Sequence, residues 1–348
     1  MNKNLIPMII FLIILLAISL LCACDTAGEE EPEFSPLEIQ NYFPMDGNAK
    51  YVYEGIGNEY ASYEVFTEYA SLDKIQQRVD NGGTVMTQVF QLKDGKLTLL
   101  LSKGETYYRE NFLDAVSESE EILIMAPLEN GTSWVLEDGR KREIANIDAM
   151  VSIPLGTYDA IEVVTTGENG TTRDYYSEGI GLVKTVFEYD GAEVSSSLKE
   201  IENNATRIQL MQFYFPNIDF GKIFIKNKEV TFKTNDITSQ VLEKAYKAAI
   251  VSNVGEVLTT NTKINSLFLN GNNQVEIDLN AAFLSEMNAG AQYESMILQS
   301  LANTFGQYYG VEEVILTIDG KPYASGHIEM KEGESIKVNY ENTEEIEV

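Results

Sequence analysis

The chain has 348 residues, a formal net charge of −29 and a pI of about 4.3. Nucleic acid is excluded as an expected partner, because binding it requires Lys and Arg side chains that neutralise phosphate. The two cysteines are Cys22 and Cys24, so disulfides and thiolate metal sites are excluded from everything that follows them.

The first residues have the pattern of an export signal. Lys3 supplies a positive start, an apolar run covers residues 5–21, and Cys24 follows the small residue Ala23. This order predicts a lipoprotein signal peptide over residues 1–23, cleaved after Ala23, with lipid on the Cys24 thiol. An uncleaved membrane-spanning helix is the alternative, although such a run is near the lower length limit for a span. We expect a protein held at the outer face of the cell membrane by its lipid.

Two acidic segments flank the parts of the chain that have strong structural signals. Residues 24–35 contain Gly28 and Pro32 among glutamates, which predicts a flexible tether between the lipid and the folded part. Residues 331–348 are also acidic, and we expect this tail to be frayed.

Residues 36–202 have the signals of a β-rich extracytoplasmic domain. Apolar or alternating runs are separated by residue pairs that favour tight hairpin turns, namely Asp94-Gly95, Asp138-Gly139, Asn169-Gly170 and Asp190-Gly191. We expect residues 85–92 to pair with 96–101, and residues 160–166 to pair with 171–176. The predicted fold is an antiparallel meander with one buried face, in which Trp134 is a core residue rather than a ligand-stacking one.

Residues 205–330 alternate between strand and helix patterns. A short strand over residues 209–215 precedes a helix with Asp236 as its N-cap. The apolar stripe of that helix is Ile237, Val241, Ala245 and Ala249. A hairpin about Asn270-Gly271, a second helix ended by Gly310, and a strand over residues 314–318 follow. The order strand-helix-strand-strand-helix-strand predicts an α/β sandwich with two helices on one face of a small sheet, which makes the whole chain α+β.

Four segments of this region also resemble a known family. They are Gln212-Phe213-Tyr214-Phe215, Ile277-Asp278-Leu279-Asn280-Ala281-Ala282-Phe283, the helical residues 299–305, and the Val-x-x-Val to Asp-Gly pattern of residues 311–320. Together they resemble the GerMN domain, the sporulation and spore germination module, over residues 205–330. The resemblance implies a fold similar to ring-building motifs, and a lipoprotein of a Gram-positive cell that takes part in envelope assembly. The family has no established catalytic residues, so the resemblance implies none here.

Catalytic chemistry has little support in the sequence. His327 is the single histidine, and a Ser-His-Asp triad would have to use it, but a surface edge is its expected place. Asp278 is the most suggestive carboxylate, and we expect it to cap the turn into Asn280. We therefore expect no catalytic residue, no metal site and no cofactor. The nineteen tyrosines are expected to pack, although a stacking surface for a glycan or peptide stays open.

The resulting hypothesis is a non-enzymatic, membrane-anchored lipoprotein. It binds other envelope proteins, or itself, through residues 205–330, in sporulation, germination or cell-envelope assembly. The alternative is a lipoprotein whose β-rich domain holds a glycan, peptide or hydrophobic molecule, which a deep apolar pocket would favour. A third hypothesis is a hydrolase with two facing carboxylates, which would need to lie about 5–10 Å apart.

Overall fold

The computed structural model describes residues 38–45, 47–117 and 120–346. The predicted signal peptide, Ala23, Cys24 and the tether lie outside these residues. The N-terminal half begins with a short helix, α1 (Ile39–Tyr42). Its strands are β1 (Ala49–Ile56), β2 (Tyr63–Ala70), β3 (Lys74–Asp80), β4 (Val85–Lys93), β5 (Lys96–Lys103), β6 (Glu121–Met125), β7 (Ser133–Val135), β8 (Lys141–Ile153), β9 (Gly156–Gly167), β10 (Gly170–Ser177), β11 (Gly181–Tyr189) and β12 (Ala192–Asn203).

These strands form one antiparallel sheet, in the order β6-β5-β4-β3-β2-β1-β12-β11-β10-β9-β8-β7. Two meanders, β1 to β6 and β7 to β12, are therefore joined edge to edge through the β1–β12 pair. The chain reaches the outer edge of the first meander at β6 and enters the second meander at its own outer edge, β7. The predicted antiparallel sheet is confirmed, but it contains two meanders rather than one.

Both predicted hairpins are present. The Asp94-Gly95 pair connects β4 to β5, and the two residues have φ of 51° and 67°, as the tight hairpin turn requires. Strand β9 also pairs with β10 as predicted, but its turn residues are Glu168-Asn169, since Gly167 pairs with Gly170. The turn therefore lies one residue earlier than the prediction placed it.

Side chains close the curled sheet where its two edge strands meet. The indole N–H of Trp134 on β7 donates to the carbonyl of Ile122 on β6, at 3.0 Å. The guanidinium of Arg142 on β8 donates to the same carbonyl and to the Glu121 carboxylate, each at 2.6 Å. Trp134 is buried, as expected for a core residue. The sheet thus encloses an interior without a backbone ladder between β6 and β7.

The C-terminal half contains three helices and eight strands among the described residues. They are β13 (Arg207–Asn217), β14 (Lys222–Phe232), α2 (Thr238–Ala248), β15 (Ile264–Leu269), β16 (Val275–Leu279), α3 (Ala282–Ser285), α4 (Ala291–Tyr309), β17 (Glu313–Ile318), β18 (Lys321–Pro322), β19 (Ser335–Lys337) and β20 (Thr343–Glu345). The hairpin at residues 270–274 and the helix ended by left-handed Gly310 are confirmed.

The prediction of one small sheet in this half is wrong. Strands β13, β14 and β20 form one sheet, and β15, β16, β17 and β18 form another, with β19 paired to β17. Helix α4 packs between them: the Thr304 hydroxyl accepts the N–H of Tyr214 on β13 at 3.0 Å, and Phe305 shares a core with Leu316 of β17. Strand β14 escaped prediction because Lys226-Asn227-Lys228 has the composition of a polar loop.

The predicted details of helix α2 are partly wrong. Asp236 does not cap it, because its carboxylate instead accepts the backbone N–H of Lys233 at 2.7 Å. The predicted apolar stripe is confirmed at Ala245 and Ala249, which are buried, but Ile237 is exposed, and Leu242 and Tyr246 widen the buried face. The Tyr246 hydroxyl donates to the Tyr214 carbonyl at 2.6 Å, which sets this orientation. The spacing of apolar residues in the sequence could not predict this buried polar contact.

The expectation of a frayed tail is wrong within residues 331–346. Strand β19 pairs antiparallel with β17, and β20 pairs in parallel with β14. Between them, Asn303 of α4 exchanges two hydrogen bonds with the backbone of Asn339, at 2.6 and 2.9 Å. The tail therefore ties both sheets and helix α4 together, because backbone pairing does not depend on its acidic side chains.

The two halves share a junction formed by the segment between β5 and β6. Tyr108 enters the core of the C-terminal half, where its ring centroid lies 4.9 Å from that of Tyr309. Arg109 is fully buried, and its backbone N–H donates to the Tyr308 hydroxyl at 2.9 Å. The described residues from Glu38 onward accordingly form one compact unit.

Candidate functional site

His327 lies where the sequence placed it, on an exposed edge. The hydroxyl of nearby Ser325 donates to the carboxylate of Glu294, and it also accepts the backbone N–H of His327 at 3.0 Å. Glu294 is buried and accepts a second hydrogen bond from the Tyr323 hydroxyl at 2.8 Å. A triad would need the Ser325 proton to face the imidazole. This cluster therefore anchors the loop after β18.

Asp278 has a structural role, but at a different turn from the expected one. Its carboxylate accepts the Thr317 hydroxyl at 2.6 Å and the Gly320 N–H at 2.7 Å, and thereby holds the turn between β17 and β18. Asn265 donates to the other oxygen at 2.8 Å. Burial works against the charge, but these hydrogen bonds outweigh it and lower the pKa of Asp278 below its ordinary value.

Replacing Asp278 with alanine is expected to cost about 1–3 kcal/mol at pH 7, since the Thr317 hydroxyl, the Gly320 N–H and the Asn265 amide lose a charged acceptor together. A carboxylate with a lowered native pKa stabilises the fold above its unfolded pKa of about 3.9 and loses that effect as pH falls below it. The difference between wild type and Asp278→Ala should therefore shrink from pH 7 to pH 3 in urea unfolding. Exposed Glu332→Ala is the matched control. An equal difference at both pH values would contradict the assigned role.

The tyrosines of the N-terminal half do two things. Tyr53 and Tyr63 stack with their centroids 4.5 Å apart and ring planes 19° from parallel, and the Tyr53 hydroxyl donates to the Leu182 carbonyl at 2.7 Å. This is the packing that the sequence favoured. The same rings, with Tyr51, Tyr60 and other side chains, also line a cavity of about 340 Å³ inside the curled sheet. We call it the aromatic cavity.

The aromatic cavity is lined by residues from both meanders and from the segment after α1. Its lining residues are Phe43, Pro44, Tyr51, Tyr53, Tyr60, Tyr63, Val65, Gln77, Val79, Asn81, Met86, Gln88, Phe90, Leu123, Tyr176, Ile180, Gly181 and Leu182. Strand alternation places them on one face: Tyr51, Val65, Val79 and Met86 are successive register partners across β1 to β4. The volume and composition are those of a small-molecule site.

A second concave surface lies on the C-terminal half, between α2 and the segment before β15. Its lysines are Lys244, Lys247 and Lys263, and we call it the lysine cleft. The ammonium groups of Lys247 and Lys263 each lie 2.9 Å from the Glu243 carboxylate. Burial opposes the charge of Glu243, but the hydrogen bonds it accepts lower its pKa. Lys244 is exposed beside them.

The lysine cleft is lined by three lysines and two glutamates, Glu243 and Glu256, and lies in a segment with more basic than acidic residues. Residues 221–263 contain seven lysines and four acidic residues, whereas the chain has 25 basic and 54 acidic residues. A count of charge in windows along the sequence would have found this region. The aromatic cavity has no such signal, because only the curl of the sheet brings β1 and β10 side chains together.

The described residues contain no group of three or more His, Cys, Asp or Glu side chains arranged to hold a metal ion. Within the same ranges, no helix has the length and apolar character needed to cross a membrane. The fold thus defines a class: a curled antiparallel β-sheet fused to a helix-containing half with two sheets, each half with its own concave surface.

The family of the C-terminal half follows from comparison. Residues 212–324 match the Germane family model, described as sporulation and spore germination. The resemblance predicted over residues 205–330 is therefore confirmed for residues 212–324, which match a Germane (GerMN) domain. A comparison with curated proteins found no match.

Solved structures give weaker similarities. The tandem GerMN domains of the sporulation protein GerM from Bacillus subtilis are 18% identical with a TM-score of 0.28, covering 37% of this chain and 46% of that one. The chain thus spans less than half of that tandem structure. The first GerMN domain alone is 18% identical with a TM-score of 0.29, covering 36% and 97%. A protein of YmcC-like fold from Bacteroides fragilis is 12% identical with a TM-score of 0.31, covering 46% and 98%.

Proposed function

We propose that this is a non-enzymatic, lipid-anchored envelope protein whose Germane domain binds another envelope protein. The observation that carries the proposal is the match of residues 212–324 to the sporulation and germination family. The lipobox at Ala23-Cys24 supports export and anchoring at the outer face of the membrane, through lipid on Cys24. The role we assign is assembly of an envelope complex, in sporulation or germination.

The lysine cleft supports a specific place for that contact. Lys244 is exposed, and the positively charged region around it contrasts with the acidic remainder of the chain. Charged surfaces that complement each other accelerate association and select partners. An acidic surface on the partner, which includes the acidic regions of a second copy of this chain, fits this cleft.

Charge reversal in the cleft tests this function. A photo-cross-linking residue at exposed Gln240, which lines the cleft, should trap a discrete envelope protein or a second copy in growing or sporulating cells. Lys244→Glu with Lys263→Glu should reduce the trapped product at least about tenfold, because two attractions become repulsions. The matched control is Lys321→Glu, an exposed lysine of the same half outside the cleft.

The possible outcomes distinguish docking at the cleft, docking elsewhere and the absence of a protein partner. Loss of the product in the cleft variant with retention in the Lys321→Glu protein supports docking at the cleft. An equal yield in both variants excludes the cleft as the docking surface. Absence of any discrete product from Gln240, and from a second probe at exposed Met150 on β8, would overturn the protein-binding function itself.

A further inference from the structure

The aromatic cavity is an unfilled part of the interior of the N-terminal half. Interior side chains of a packed sheet are normally fully buried, because folded interiors contain few voids larger than a water molecule. Here Tyr51, Tyr63, Val79 and Met86 face inward yet are only half-buried. Neighbouring inward residues such as Val183 and Leu198 are completely buried. The packing deficit is therefore local to the cavity.

The chemistry of the lining restricts the ligand by its charge. None of the residues that line the aromatic cavity is Asp, Glu, Lys, Arg or His. A charged ligand would lose hydration there and find no opposite charge, which costs several kcal/mol or more. Anions would also be repelled by the net charge of the chain. The lining thus fits an uncharged ligand.

The lining also contains polar groups with unused hydrogen-bonding capacity. Gln77 and Gln88 are register partners on β3 and β4, and both carboxamides are half-buried at the cavity wall. The Gln88 amide makes one long hydrogen bond, 3.4 Å to Ser102, and Asn81 uses its carbonyl oxygen for the Gly83 and Thr84 N–H groups. An alkyl chain would strip water from these amides and replace none of their hydrogen bonds, at about 1–3 kcal/mol for each group.

Strand alternation gives the two faces of β3 separate tasks. Gln77 and Val79 point into the cavity, whereas Gln76 and Arg78 bond the buried Glu68 carboxylate on the opposite face. Gln77 therefore has no place in the network that joins the two halves. A polar ligand therefore explains why a glutamine lies on this wall of the cavity better than a contribution to folding stability does.

We propose that the aromatic cavity binds an uncharged sugar residue, as one unit of a neutral glycan. The tyrosine rings would contact the C–H face of the pyranose, because the electron-rich ring face attracts weakly positive hydrogens. The Gln77 and Gln88 carboxamides would donate to and accept from its hydroxyl or acetamido groups. The mouth of the cavity includes Tyr60, which is 53% exposed and lies over Gly83. This glycan site is independent of protein docking at the lysine cleft.

The test is calorimetric titration of the full protein in detergent with two neutral oligosaccharides, triacetylchitotriose and maltotriose, and with the neutral alkyl probe decanol. Saturable binding of at least one sugar is expected. Gln77→Leu with Gln88→Leu should weaken it at least about tenfold, because the hydrogen bonds are lost while the apolar wall is retained. The matched control is Gln307→Leu, a glutamine exposed on helix α4, outside both candidate sites. It should bind the sugar like the wild type.

Two results would overturn the sugar site. One is the absence of binding heat for both sugars at sugar concentrations up to about 10 mM, because a specific site should be saturated below that concentration. The other is decanol binding that becomes tighter in the Gln77→Leu, Gln88→Leu protein, which would assign the cavity to an alkyl chain. Thermal unfolding of each variant, measured in the same buffer, distinguishes loss of the site from loss of the fold.

Discussion

Replacing Arg109 with methionine is expected to destabilise the protein by about 3–5 kcal/mol, because several buried acceptors would lose their donor together. The guanidinium donates to Tyr69 and the Glu68 carbonyl in the N-terminal half, at 2.7 and 2.9 Å. It also donates to the backbone carbonyls of Asp236 and Lys233 and to the Thr238 hydroxyl in the C-terminal half, at 2.6, 3.2 and 2.7 Å. Its charge lies 4.0 Å from the centroid of the Tyr69 ring.

The Arg109 prediction is measured by equilibrium unfolding in urea, followed by circular dichroism. Arg140→Met is the matched control, since Arg140 is a partly exposed arginine whose ion pairs with Asp138 and Glu121 should contribute less than about 1 kcal/mol. Arg109 also joins the two halves, so the variant should split one unfolding transition into two. A single transition with less than 1 kcal/mol of loss would show that the junction does not depend on this side chain.

Removal of Arg78 alone is expected to cost about 3–5 kcal/mol, because it would leave the Glu68 carboxylate buried without its cation. Both side chains are almost completely buried, and the Arg78 Nε–Glu68 Oε1 distance is 2.6 Å. Gln76 donates a further hydrogen bond to Glu68 at 2.9 Å. Arg78 also donates to the carbonyls of Thr106 and Tyr108, which fixes the segment that carries Arg109.

A double-mutant cycle tests the pair. Glu68→Met with Arg78→Met should cost less than the sum of the two single changes by at least about 1.5 kcal/mol, since no lone charge remains. Some loss should persist, because the carbonyls of Thr106 and Tyr108 lose their donor. The exposed Lys199–Glu54 pair, at 3.0 Å, is the control and should couple by less than about 1 kcal/mol. Additive effects at the buried pair would refute the charge-pair explanation.

These two buried arginines have a functional consequence. They make the position of the aromatic cavity fixed relative to the lysine cleft, because each half contributes acceptors or packing to the same segment. If both proposals hold, a partner docked on the Germane domain and a sugar held by the curled sheet would lie at a defined separation. In Arg109 variants the distance between the two sites should therefore vary more, even where each site still binds its ligand.

Local sequence chemistry determined much of the secondary structure. Asp94-Gly95 produced a hairpin because both residues accept positive φ, and Gly310 ended α4 for the same reason. Alternation of Val275, Ile277 and Leu279 with polar residues defined β16, whose apolar side chains are all buried. The motifs of residues 212–324 identified the Germane domain. Each of these signals acts over a few residues, or over a segment with its own pattern.

Tertiary contacts decided the features that sequence reasoning missed. The acidic tail joined the sheets because β14 and β17 had free backbone edges, which no side-chain pattern of the tail reveals. Polar residues in strands, such as Gln76 and Arg78, became buried because Glu68 faced them across the ladder. Their patterns in the sequence are indistinguishable from those of solvated strand faces.

The same contrast between sequence and tertiary structure applies to the two candidate sites. The net charge, the lysines near residue 244 and the lipobox can be read from the sequence, because charge and cleavage chemistry belong to individual residues. The sequence left open that its tyrosines form a stacking surface, but it could not locate the aromatic cavity, because the cavity walls come from strands more than a hundred residues apart, such as β1 and β11. Composition and the lipobox therefore predict which ligands this protein repels and how it is anchored. The curl of its sheet alone decided where an uncharged ligand could be held.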